Sequence, residues 1–215
     1  MNALTIEAPA KINLYLAVGP KRPDGYHEIT SVMQQIGLYD LVSVTRSPRA
    51  SGKKIAVHCS DPAVPSDSRN IVWKCAEAFF EAFGIGERIA PLAVPAPSYA
   101  VLVAFPGGGI STREAYRLLD EHPAPPAPAP DVLLDELLAG GMPRSLFNDF
   151  ERVILPRHPG APPLKDRMTA LGASSVLMSG SGPAVFGLFP ALSDARSARD
   201  ALLAEGIPAW AAKPL

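Results

Sequence analysis

The sequence predicts an α+β fold, and three observations carry that prediction. Short apolar runs with the alternation of strands recur, as in LVSVTR and YAVLVAF. Segments with helical spacing and terminal caps lie between them, as in SRNIVWKCAEAFFEAFG. Strands and helices come in mixed order, which favours antiparallel neighbours.

LTIEAPAKINLYLAV reads as two short strands broken at Pro9, which has no N–H to give a ladder. RPDGYHEI is a turn built on Pro23, Asp24 and Gly25. ITSVMQQIGLYDLVSVTR holds short apolar runs and ends as a strand, and KIAVHCS is another strand. In SRNIVWKCAEAFFEAFG, Asn70 or Ser68 caps a helix, Ile71, Cys75, Ala78, Phe79 and Phe83 recur at helical spacing, and Gly84 ends it. The proline-bearing IGERIAPLAVPAPS leads to the strand YAVLVAF and the helix STREAYRLLDEH. HPAPPAPAPD is a stiff, extended loop by composition. Helices follow in VLLDELLAGG, NDFERVILPRHP (ended by Pro156) and PLKDRMTALG. ASSVLMSGSGPAVFGLFP is two strands around a glycine turn, LSDARSARDALLAEG a capped helix and IPAWAAKPL a last strand.

Composition narrows the function classes. A chain of 215 residues suits one large domain or two small ones, and 47% apolar residues suffice for a core. A net charge of −1 argues against a nucleic-acid partner. Cys59 and Cys75 form no CxxC, and His27, His58, His122 and His158 are scattered, so spacing points to no metal site and no disulfide scaffold. The N-terminal stretch is unlike a signal peptide and no run has the length of a membrane span, so a cytoplasmic protein with no membrane partner is expected.

The stretch FPGGGISTREAY invites comparison with a phosphate cradle, because glycines admit close ligand approach and a helix N-terminus favours anions. Ser111 or Thr112 would cap the helix. No GK[ST] follows, so it is not a Walker A loop, and no third glycine completes a dinucleotide fingerprint. A strand, a glycine turn and a capped helix also make an ordinary connector.

Three segments together, APAKINLYLAV, RPDGYHEITSVMQQIGLYD and LMSGSGPAVFGLF, resemble the 4-diphosphocytidyl-2-C-methyl-D-erythritol kinase family of the GHMP superfamily. RNIVWKCAEAF, YAVLVAFPGGGISTREAY and LFNDFE add to the resemblance, which runs in family order over nearly the whole chain. It implies a two-lobed GHMP-kinase-like fold: a truncated N-terminal lobe over residues 1–97 and a ferredoxin-like C-terminal lobe over 98–215. It implies ATP with Mg2+ as cofactor, a cytidine diphosphate small molecule as substrate, and phosphorylation of its 2-hydroxyl on the methylerythritol phosphate route to isoprenoids. The family's P-x-x-x-G-L-G-G-G-S-S triphosphate loop and its L-G-A/S-D-V-P-F-F segment, whose aspartate is the expected base, have no counterpart. AFFEAFG runs directly into IGERIAPLAV. By resemblance PGGGIST is a loop on the substrate side.

The resemblance also assigns roles. Lys11 would lie near the transferred phosphoryl group, where a cation offsets developing charge; the plain alternative is a strand lysine in water. Asn13 would touch the methylerythritol part, or be an edge-strand amide. Tyr26 and His27 would hold the cytosine end by stacking and hydrogen bonding, or be a core-packed tyrosine and an exposed histidine. Thr112 and Tyr116, one helical turn apart, would line the pocket or simply face the core. Asn70 corresponds to a residue near the adenine pocket, but capping explains it fully. Gly180, Ser181 and Gly182 would bring backbone amides to the ligands, or form a tight turn. Asn148 and Asp149 read as structural. Without the loop and the base, an inactive or impaired chain is expected. The alternatives are a non-catalytic binder of a cytidine ligand and a structural or interaction protein on the same scaffold.

Overall fold

A computed structural model describes residues 3–45, 55–75 and 92–215. Packing divides the chain into two compact units: Met1–Ile6 with Val42–Leu92, and Glu7–Leu41 with Ala93–Leu215. The lobe division at residue 97 is a partition by resemblance. Packing groups the greater part of the N-terminal hairpin with the C-terminal residues.

That hairpin is β1 (Ala3–Lys21) and β2 (His27–Thr45), each 19 residues long. The break expected at Pro9 does not occur, and β2 is one strand instead of several short runs. The partner β4 (Phe147–Asn148) meets β1 only at Tyr15 and Leu16, so near Pro9 that edge of β1 has no partner from β4. A missing N–H is tolerated at such an edge. The turn at Pro23–Gly25 is as read, closed by Gly25 N donating to Arg22 O at 3.0 Å.

The second sheet contains β3 (Ala100–Ala104), β5 (Ser175–Met178), β6 (Val185–Phe189) and β7 (Ala209–Ala212). Its order is β5-β6-β3-β7 and every pairing is antiparallel. Counted along the chain, this is the fourth–first–third–second order of a ferredoxin-like sheet, as expected for the C-terminal part. Around it run α1 (Thr112–Glu121), α2 (Asp131–Leu138), α3 (Glu151–Ile154), α4 (Ala161–Ala170) and α5 (Leu192–Ala204), with a 3-10 turn at Leu155–Arg157. The helix read in NDFERVILPRHP is therefore split. Its start is diverted into β4, and Pro156 falls inside the 3-10 turn. α5 has no side-chain cap, because it starts at Leu192, one residue before Ser193.

Alternation along β3 explains why the sheet is buried on both faces. Ala100, Leu102 and Ala104 join Leu164, Met168, Val185, Phe189 and Leu202. Val101 turns the other way, toward Ile12, Leu14, Leu133, Leu137 and Phe186. Each fully buried Leu or Phe contributes about 1.5–3 kcal/mol, so the second of these layers fixes β1 against the C-terminal sheet while the first holds α4 and α5 on its other face. A third cluster joins Leu16, Ala115, Leu118, Phe150, Val153 and Met178, bringing α1, α3 and the end of β5 together.

In the first unit the strand expected in KIAVHCS is not formed over residues 55–60, which are irregular and join no ladder among the described residues. The helix read after Asn70 begins there at residues 71–75, and the rest of it, with the AFG–IGE junction, lies outside the described residues. Among the described residues no helix is long and apolar enough to cross a membrane.

Candidate functional site

β1 carries the first part of the site. Lys11 Nζ donates to Asn13 Oδ1 at 2.7 Å. Asn13 Nδ2 donates to Ser31 Oγ at 2.8 Å, and Ser31 in turn donates to Tyr15 O at 2.8 Å. Asn13 is buried, not an edge amide in water, and its oxygen faces Gly180 across the turn after β5.

That turn is fixed from outside the MSGSGP motif. Asn148 Nδ2 donates to Met178 O at 2.7 Å and to Gly180 O at 2.9 Å, while its Oδ1 accepts from Phe150 N at 3.0 Å. Glu151 accepts from Met178 N at 2.8 Å and pairs with Lys165. Gly180 and Gly182 both have positive φ, +58° and +78°. The reading of Asn148 as structural holds, and its task is specific: it ties β4 to the glycine turn. Asp149 does likewise for β1, accepting from Val18 N at 2.8 Å.

Ser181 then meets α1, with its hydroxyl 3.2 Å from that of Thr112. α1 starts here because Ser111 caps it, accepting from Glu114 N at 3.2 Å. One turn on, Tyr116 stacks on His27, with ring centroids 5.0 Å apart and planes 19° from parallel. Phe150 supports Tyr116 edge-on at 5.0 Å. Burial pushes the Tyr116 phenol pKa up. One turn further, Asp120 Oδ1 lies 2.8 Å from His27 Nε2, and its Oδ2 accepts from Lys21 Nζ at 3.1 Å. The hydrogen bond from His27, aided by Lys21, holds the Asp120 carboxyl below the usual carboxylate range.

The structure pairs Lys11 with Asn13, Ser181 with Thr112 and His27 with Tyr116, and Asn13 Oδ1 lies on the side of Gly180 where a Cβ would stand. The plain alternatives for the turn residues are reversed. Tyr26 is 71% exposed instead of packed on the core, and the His27 side chain is only 6% exposed. Asn70 belongs to the other unit and caps its helix, with Oδ1 accepting from Val72 N at 2.8 Å and Nδ2 donating to Pro65 O. Sequence reasoning missed Ser31, Asp120, Phe150 and Glu151. Asp120 was within reach, since Thr112, Tyr116 and Asp120 stand at i, i+4 and i+8 on one helical face.

PGGGIST is an open turn. A Cβ at Gly107 or Gly109 would meet nothing within 4 Å, and one at Gly108 would stand 3.1 Å from His158 Nε2. A recess of about 390 Å³ at the start of this turn, lined by Pro106, Gly160, Leu164 and Arg167, includes none of Lys11, Asn13, His27, Tyr116 or Gly180–Gly182.

Comparison with known proteins gives concordant results. Residues 133–208 match the family model described as GHMP kinases C terminal. The 4-diphosphocytidyl-2-C-methyl-D-erythritol kinase of Geobacillus thermodenitrificans is 31% identical, over 86% of this chain and 88% of its own length. That of Brevibacillus brevis is 32% identical, over 86% and 87%. A crystal structure of 4-(cytidine 5'-diphospho)-2C-methyl-D-erythritol kinase superposes with a TM-score of 0.69 at 28% identity, covering 98% of this chain and 99% of the other. The Geobacillus alignment is 261 positions long but takes in only 86% of a 215-residue chain, so roughly 75 positions belong to the relative alone.

Proposed function

Since the chain belongs to the 4-diphosphocytidyl-2-C-methyl-D-erythritol kinase family of GHMP kinases, we propose that it keeps the substrate side of an ATP-dependent kinase site and has lost the phosphate side. The ligand is the cytidine diphosphate of methylerythritol, and the group offered for phosphorylation is its 2-hydroxyl. The observation that supports this reading most is the ordered wall formed by Phe150, Tyr116, His27 and Asp120 beside the exposed Tyr26. A wall of this kind suits a base. An aromatic face stacks on any base, and the histidine edge supplies a directional hydrogen bond.

Each side chain then has a task. Tyr26 stacks on the cytosine and His27 reads its edge. Thr112 and Tyr116 border the pocket. Asn13, held between Lys11 and Ser31, orients the methylerythritol hydroxyls, and Lys11 offsets negative charge near the 2-hydroxyl. The Gly180–Gly182 turn, closed by Gly182 N donating to Ser179 O and held by Asn148 at the Gly180 carbonyl, offers the backbone amides of Gly180 and Ser181.

ATP with Mg2+ is the phosphoryl donor that the family implies, but the residues present do not fit it. Among the described residues no group of three or more His, Cys, Asp or Glu side chains could hold a metal ion. Ser111 is committed to capping and Thr112 to Ser181. The family's triphosphate loop and aspartate base are missing from the sequence. Positioning contributes roughly 7–11 kcal/mol in reactions of this type. A general base adds about 10²–10⁴-fold. Lys11 does not replace both, so turnover is abolished or severely reduced.

Calorimetric titration of the folded chain with 4-diphosphocytidyl-2-C-methyl-D-erythritol, with and without a magnesium–ATP analogue, tests this. Binding of the cytidine ligand, unaltered by the analogue, is expected, with no phosphorylated product by phosphorus NMR. Turnover at an ordinary kinase rate would overturn the loss of the phosphate side. Failure to bind any cytidine diphosphate compound would leave a structural or interaction role.

A further inference from the structure

The proposed base-binding wall contains a carboxylate that no motif marks. Asp120 ends the face Thr112–Tyr116–Asp120 of α1 and meets His27, which lies 93 residues earlier in the chain. The contact joins His27 Nε2 to Asp120 Oδ1 at 2.8 Å. An ionised carboxylate has no proton to donate, so the proton on this contact belongs to Nε2. The other carboxylate oxygen is taken by Lys21 Nζ at 3.1 Å. Lys21 thus shares the Asp120 carboxylate with the imidazole, one oxygen each. A neutral ring with its proton on Nε2 carries a lone pair on Nδ1.

The ring has little freedom to escape this arrangement. Its side chain is 6% exposed and it is stacked on Tyr116, which Phe150 buttresses. Nδ1 makes no hydrogen bond among the described residues and is not fully sealed from solvent. It is the polar atom of His27 left for a ligand.

We propose that Asp120 is a positioning residue: it holds His27 in the Nε2-protonated form, so that Nδ1 accepts a hydrogen bond from the exocyclic amino group of a pyrimidine and rejects a keto oxygen at the same place. This rests on the base-site reading above. Cytosine carries an amino group where uracil carries a carbonyl, and an acceptor that the bound base closes off from water is left unpaired when it faces a carbonyl. Asp120 thus selects the base without touching it.

The test uses the full chain, with CDP and UDP as probes and the imidazole nitrogen NMR spectrum of His27 as a second readout. The wild type is expected to bind CDP roughly tenfold or more tightly than UDP, the effect of one hydrogen bond gained or left unmade. Its His27 spectrum should show Nδ1 unprotonated. Asp120→Ala should reduce the preference to within about twofold and mix the two tautomers. Asp120→Asn, whose amide oxygen still accepts from Nε2, should restore both and control for loss of folding. If the wild type prefers CDP and Asp120→Ala keeps that preference with Nδ1 still unprotonated, the role of Asp120 is overturned while the base site stands. If the wild type binds neither nucleotide, the base-site reading fails, and the selectivity inference with it. Equal binding of CDP and UDP by the wild type also overturns the inference, but leaves a base site.

Discussion

The chain has two glycine-rich turns that look alike on the page, PGGGIST after β3 and MSGSGP after β5. Both contain glycines at positive φ, Gly107 and Gly108 in one and Gly180 and Gly182 in the other. They meet where Thr112, the last residue of the first, faces Ser181 of the second, but their glycines have different surroundings. The second turn is held by Asn148 through two carbonyls, by Glu151 through the Met178 amide and by Ser181 against Thr112. A Cβ on Gly182 would lie 2.4 Å from Met178 Sδ, in a buried contact. The first turn is open at Gly107 and Gly109. Glycine content announces a turn. Whether that turn is held in one shape depends on what packs and bonds around it, and only a held turn keeps amides aimed for a ligand.

Replacing Asn148 is the strongest way to erase the difference. Asn148→Ala leaves two carbonyls and the Phe150 amide without their partner, and should destabilise the chain by about 3 kcal/mol in urea unfolding. A loss under 1 kcal/mol would mean that the turn holds its own shape. Gly182→Ala should come next, at roughly 2 kcal/mol, because the new methyl meets Met178 in a conformation closed to alanine. Gly107→Ala has the same backbone requirement without the collision, and about 1 kcal/mol is expected by the same measurement. Equal losses at Gly182 and Gly107 would abolish the contrast between the turns.

The smallest effect is electrostatic and sits on the helix that joins the turns. Asp120 has its pKa depressed by the His27 hydrogen bond. A depressed carboxylate contributes stability above its unfolded pKa, near 4, and loses that contribution as the pH falls through the folded value. The melting advantage of the wild type over Asp120→Asn should therefore be constant above about pH 5 and shrink below pH 4. Because Asp120 is partly exposed, a shift of a degree or two is the expected scale. An advantage that persists unchanged at pH 3 would show that the carboxylate charge is not its source.

Much of the fold was legible because it is local. Periodicity located β3, β5, β6, β7 and all the helices of the second unit, since burial of one face imposes a fixed spacing on the residues that face it. The lengths of β1 and β2 were misjudged because Pro9 breaks a strand only where its nitrogen faces a partner, and sequence does not reveal which edge is open. KIAVHCS failed for the reverse reason: alternation makes a strand only where a ladder exists to join. At the candidate site, Lys11, Asn13, His27, Thr112 and Tyr116 were singled out through their motifs. Ser31, Asp120 and Phe150 were not, because each acts through a neighbour on another element.

What the sequence by itself determined was the α+β class, the family and the absence of the triphosphate loop and its aspartate. All three are written in residue order or local pattern. The tertiary structure alone decided which glycine turn is held, that Tyr26 faces out while His27 is enclosed, and that Asp120 meets the histidine. The contacts responsible join residues 32 positions apart at Asn148–Gly180 and 93 apart at His27–Asp120. No local rule links such residues; they meet because apolar burial brings β1, α1, α3 and the end of β5 together, and directional hydrogen bonds then select partners among the groups that burial has brought near.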